Sequence, residues 1–140
     1  MFINKLPLLL STPLLLGSVF SAAALADEKW STEEYDVVYE SDRNRTAIWR
    51  YGNDLGTIFI DGLAGVYRDR GSYSGYWVQK SSSLPCDTFR EDANGKPTYH
   101  WGRFEITFIN PDFPSQWEAK IGLCDMEPSI SLTGTPLLAP

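Results

Sequence analysis

Between Tyr99 and Cys124 apolar and polar residues alternate with a period of two, a pattern that an α-helix cannot satisfy. His100, Gly102, Phe104, Ile106 and Phe108 share one parity, and Tyr99, Trp101, Arg103, Glu105 and Thr107 share the other. After Asn110-Pro111-Asp112-Phe113-Pro114-Ser115, a second row of Trp117, Ala119, Ile121 and Leu123 alternates with Gln116, Glu118 and Lys120. Successive side chains of a strand point to opposite faces, so these are two strands joined by a Pro-rich turn, each with one face in a core. Cys124 falls on the outward parity, which places any bridge it makes on the exterior.

The chain upstream repeats the theme. Tyr35–Glu40, Thr46–Tyr51, Gly56–Asp61, Gly65–Arg68 and Tyr73–Lys80 are strand-sized runs, most of them set apart by Gly, Asn or Asp. Residues 27–34 read as a polar lead-in, in which Ser31-Thr32-Glu33-Glu34 has the form of a capping box and could open one helical turn. Ser129–Thr133 supplies one more run near the end. The longest connection covers residues 81–97 and contains Cys86. Its Asp92-Ala93-Asn94-Gly95-Lys96-Pro97 reads as an Asn-Gly turn rather than a calcium loop, which would need further spaced acids and a closing Glu. Short connections make neighbours antiparallel. The expected fold is all-β, a small antiparallel meander barrel of seven to eight strands. A β-sandwich is the alternative, and closure favours the barrel because it leaves no unpaired edge.

Residues 1–26 read as a signal peptide. Lys5 precedes an apolar stretch from Leu8 to Phe20, and Ala24-Leu25-Ala26 is a small-x-small cleavage site. Pro7 and Pro13 interrupt that stretch, against a permanent membrane span. The expectation is a single β domain over 27–140 that is secreted or periplasmic, with no membrane association after cleavage. Two cysteines, Cys86 and Cys124, in an exported chain imply one disulfide. With one His and no C-x-x-C spacing they imply neither a metal site nor a redox pair, and no cofactor is indicated. Beyond residue 26 the chain carries 11 basic against 18 acidic side chains. That excess disfavours nucleic acid, which requires a positive face, and suits a basic protein partner.

Catalytic machinery is sparse. His100 is the sole imidazole, no G-x-S-x-G presents a serine, and the acids on the expected strands fall mostly on solvated parities. A hydrolase using His100 or a carboxylate pair is therefore the least favoured reading, and the expectation is a non-enzyme. The aromatic content points elsewhere. Five Trp, seven Tyr and five of the seven Phe lie beyond residue 26, more than a core of this size needs. Rings with a polar tip suit a small-molecule pocket or a saccharide platform. Trp101 shares its parity with Arg103 and Glu105, whereas Tyr76 and Val78 compete with Trp77 for the inside.

Ala47-Ile48-Trp49, Gly56-Thr57-Ile58-Phe59-Ile60, Gly65-Val66-Tyr67 and Ser74-Gly75-Tyr76-Trp77 together resemble the opening of avidin- and streptavidin-like barrels, over roughly residues 45–124. In that family a G-x-W strand precedes a G-x-Y strand within an eight-stranded meander. The resemblance implies a ligand-holding role for Tyr67. Ala47 stands in place of the family's first Gly, Asp69 in place of a small hydroxyl residue, and no Trp lies within 103–109. Small-barrel lysozyme inhibitors likewise pair a barrel with a disulfide. The candidate binding residues are Tyr67, Trp77, Trp101 and Arg103. The expected partners are a small or saccharide-like ligand or, alternatively, a basic secreted hydrolase that this chain would inhibit.

Overall fold

The structure, a computed structural model, describes residues 28–137; the expected signal peptide lies outside the described residues. Ten strands follow in chain order: β1 (Lys29–Ser31), β2 (Asp36–Arg43), β3 (Thr46–Tyr51), β4 (Gly56–Asp61), β5 (Ser72–Gln79), β6 (Arg90–Glu91), β7 (Pro97–Thr98), β8 (His100–Phe108), β9 (Trp117–Ile121) and β10 (Ile130–Pro136). Eight of them close an antiparallel barrel in the order β1-β10-β9-β8-β5-β4-β3-β2, and β6 and β7 form a separate two-stranded hairpin. The meander expected from the period-two rows is thus a barrel and not a sandwich.

Two local expectations are overturned. Residues 27–34 do not form a polar lead-in with a helical turn. Lys29–Ser31 is a strand that pairs with both β2 and β10 and completes the ring. Trp30, fully buried, holds it inside and donates from Nε1 to the Ser115 carbonyl at 2.7 Å. The capping-box residues make a turn instead, in which the Thr32 hydroxyl oxygen accepts from the amides of Glu34 and Tyr35. Gly65–Arg68 is likewise not a strand. Gly62, Gly65 and Asp69 all take positive φ, which curls residues 62–71 into a loop across the barrel end. Its apolar residues serve as a plug: Leu63 is fully buried, and Val66 and Tyr67 pack on the core.

The barrel is filled rather than hollow. Trp30, Trp49 and Trp117 are each 0% exposed and interlock with ring centroids 4.4 to 6.1 Å apart. Phe104, Ile106, Phe108 and Ile60 complete the packing. Two glycines make room by lacking a side chain. A Cβ on Gly134 would overlap the Trp117 ring, and one on Gly102 would strike the Trp77 indole and the Gly122 carbonyl. The expected rows hold: Phe104, Ile106 and Phe108 face inward, as do Trp117 and Ala119.

The long connection between β5 and β8 leaves the upper barrel end, where β1–β2, β3–β4 and β9–β10 also turn, and folds down the outer wall as an arm. Cys86 and Cys124 are bridged with their Cα atoms 5.6 Å apart, pinning its root. At its tip, Asp92 accepts from the amides of Asn94 and Lys96 and Gly95 takes positive φ, the Asn-Gly turn expected there. Arg43, in the β2–β3 hairpin at the lower end, donates to the Ala93 carbonyl at 2.8 Å and ties the tip down. The disulfide implies an oxidising compartment.

Candidate functional site

The arm creates a second apolar cluster outside the barrel. On β5 and β8 the outward residues Tyr76, Val78, Trp101 and Arg103 alternate with the inward Trp77 and Gly102. Val78 and Trp101 are buried even though they point outward, because Cys86 and the arm cover them. Trp101 Nε1 donates to the Thr88 carbonyl at 2.8 Å, which fixes the descending arm against the wall. This explains why Trp77 competed with its neighbours for the inside: the strand is covered on both faces there, and both parities are apolar.

Between arm and wall runs a groove of about 640 Å³, lined among others by Phe59, Tyr76, Phe89, Trp101, Arg43 and Arg90. Arg90 lies with its guanidinium carbon 3.1 Å from the Tyr76 ring centroid and 5.0 Å from that of Trp101. Among the described residues no carboxylate lies within salt-bridge reach of Arg90, and its buried Nε has no hydrogen-bond partner. Asp61 and Asp92, also in the lining, already have partners, Asp61 the Thr46 hydroxyl of neighbouring β3 at 3.1 Å and Asp92 its turn amides. Phe89 is 54% exposed at the groove and meets the half-exposed Tyr99 ring edge-on at 6.1 Å.

A second depression of about 720 Å³ lies over β5, β8, β9 and β10 and shares Asp61 with the groove. Its lining is mainly hydroxyls and charges, with Tyr73 as its one ring. It offers no aromatic platform.

The four binding residues expected from the sequence do not converge. Tyr67 lies in the lower-end plug, stacked on Tyr39 at 6.0 Å and flanked by Arg70 at 5.2 Å. Burial, then the nearby Asp42 carboxylate, pushes its hydroxyl above the ordinary tyrosine range. Burial does the same to Tyr39, whose hydroxyl bonds to Asp42. A bulge between Tyr39 and Ser41 returns Asp42 to the face of Tyr39 and so makes that bond. Trp77 is inside the barrel toward the upper end, with Nε1 donating to the Gly122 carbonyl at 2.9 Å. Trp101 floors the groove. Arg103 is on the same wall but pairs with Glu105 at 3.1 Å and lies outside the groove lining.

His100 opens β8. Its Nδ1 lies 2.8 Å from the Ser82 hydroxyl, which itself donates to the Leu84 carbonyl at 3.3 Å. Which of the two, ring or hydroxyl, donates depends on the imidazole tautomer. No carboxylate pairs with the ring among the described residues, so the orienting third member of a triad is missing. No group of three or more His, Cys, Asp or Glu able to hold a metal occurs among the described residues.

Phe59, Tyr76, Phe89 and Arg90 escaped the sequence reading. The signal that leads to them is the outward apolar row of Tyr76, Val78 and Trp101 beside the outward Cys124. Such a row needs a cover, and the bridge to Cys86 names the segment that supplies it. Compared with protein-family models, with curated proteins and with solved structures, the chain matches none of them.

Proposed function

We propose that this chain is an exported, non-enzymatic binding module that holds a saccharide on the outer wall of its barrel. The reading is carried by the groove between arm and wall, about 640 Å³ with four aromatic residues in its lining. The interior is closed to a ligand because Trp30, Trp49 and Trp117 fill it. A ligand must therefore dock outside, where exposed rings and polar groups occur together. Aromatic faces pack against the C–H faces of pyranose rings, and nearby charged groups hydrogen-bond their hydroxyls. The disulfide holds the arm in place before binding, which lowers the ordering cost of association. Export is supported by the leader-like residues 1–26 and by the disulfide.

Calorimetric titration against a panel of neutral and charged oligosaccharides tests this. The expected outcome is saturable binding to at least one of them, weakened about fivefold by Phe89→Ala, since one aromatic contact contributes about 1 kcal/mol. A panel without any binding overturns the reading.

One observation favours a protein partner instead. Leu84, Phe89 and Tyr99 are 60%, 54% and 48% exposed along the pinned arm. Rigid exposed apolar side chains on an acidic chain would suit the rim of a basic secreted hydrolase, which this chain would then inhibit. Capture of such an enzyme, with affinity that falls as salt rises, would favour this second reading.

A further inference from the structure

This inference rests on the saccharide reading and names the class of saccharide: we propose that Arg90 makes the groove selective for sugars that carry a carboxylate. Arg50, Arg70 and Arg103 each have a carboxylate within 3.1 Å. Arg90 has none within 4.0 Å among the described residues, although the chain as a whole has an excess of acids. Its guanidinium is set instead against Tyr76 and Trp101, and the Trp101 indole is itself fixed by its bond to Thr88. Stacking occupies a face of the guanidinium and leaves the in-plane N–H edges, which are the part that binds a carboxylate in a two-pronged pair. A half-buried, stacked cation that lines a groove and has no carboxylate partner among the described residues is a built anion receptor.

The other lining residues narrow the ligand. Phe59 and Phe89 provide apolar surface for a ring, so a free inorganic anion would leave most of the groove unused. Asp61, Glu91, Asp92 and Asp125 also line it. They would repel a dense polyanion, so the fitting ligand is a short saccharide with isolated carboxylates, a uronate. One carboxylate meets Arg90 while the ring packs on Phe89.

The test compares trigalacturonate with its carboxyl-reduced counterpart, a galactose trisaccharide of the same linkage, by calorimetry on the full chain. The native protein is expected to bind the uronate at least tenfold more tightly. Arg90→Gln should abolish that preference by weakening the uronate at least tenfold more than it weakens the reduced sugar. Arg90→Lys, which keeps the charge and loses the fork, should retain only part of the preference. Tryptic mapping of the Cys86–Cys124 bridge shows whether the arm of each variant is still in place. If Arg90→Gln lets the arm go, Arg90→Lys alone decides, and a full preference in it overturns the proposal. Equal affinity of the native protein for the two sugars overturns the uronate inference and leaves the saccharide reading standing. Binding to neither of them overturns the uronate inference, and the wider panel then decides the saccharide reading separately.

Discussion

Two tryptophans of the core differ in one bond, and the difference can be measured. Trp30 and Trp49 are both fully buried and lie 4.4 Å apart by ring centroid. Trp30 Nε1 donates to Ser115, whereas Trp49 Nε1 is buried with no hydrogen-bond partner among the described residues. Replacing either by Phe removes similar volume. Trp30→Phe also strands a buried carbonyl, while Trp49→Phe removes a donor that had no acceptor. Trp30→Phe should therefore destabilise by about 1 kcal/mol more than Trp49→Phe in urea unfolding. The reverse order would show that cavity shape outweighs the bond. At this scale parity was informative: Trp117, Phe104 and Ala119 sit inside where their alternation puts them. Trp77 was not decided, because the arm makes the outward neighbours Tyr76 and Val78 as apolar as the inside. Parity reads a face only when the other face is wet.

Among the elements, the arm is the one whose position depends on a single covalent link. Its own strands, β6 and β7, are two residues each, too short to hold a fold alone. The bridge joins residues 38 apart, which the chain-entropy model values at roughly 4 kcal/mol. Replacing Cys86 and Cys124 by Ser should lower stability by about that amount and free the arm. Limited trypsinolysis should then cut after Arg90, which in the native protein is held between rings, while the barrel strands resist. Resistance at Arg90 in the bridge-free variant would mean that the Trp101–Thr88 bond and the Arg43–Ala93 tie hold the arm unaided. The disulfide and its exterior position were legible from two cysteines and one parity. The site it builds was not, because stacking Arg90 on Tyr76 and Trp101 requires the arm to fold back on strands 14 and 11 positions away in the chain. The strand reading of Gly65–Arg68 failed for a related reason. Its apolar residues plug a barrel end, and burial there does not require extended backbone.

For the molecule as a whole, closing the ring falls to β1, only three residues long, and to what anchors it. Glu28, just before β1, is buried with Arg70 of the β4–β5 loop, at 2.8 and 2.9 Å. Arg70 also donates to the Ser115 hydroxyl at 3.0 Å and the Val66 carbonyl at 2.8 Å. Its guanidinium lies 4.9 Å from the Phe108 ring centroid. One arginine thus joins the first strand to two lower-end loops. The contrast with Arg90 is instructive, since both lie against aromatic rings but among the described residues only Arg70 has a carboxylate partner. A pair 42 residues apart, one residue in a segment read as a lead-in and the other just past a segment read as a strand, left no mark in the sequence. Breaking such a pair from one side leaves an uncompensated charge in the interior. Glu28→Gln or Arg70→Met should each cost about 3–5 kcal/mol. The double replacement Glu28→Leu/Arg70→Met should cost clearly less than either, because no buried charge remains. Chemical unfolding of the three variants checks the order. If the double variant is instead the least stable, the pair acts chiefly as the tether of β1, and barrel closure depends on its bonds more than on the burial of Trp30.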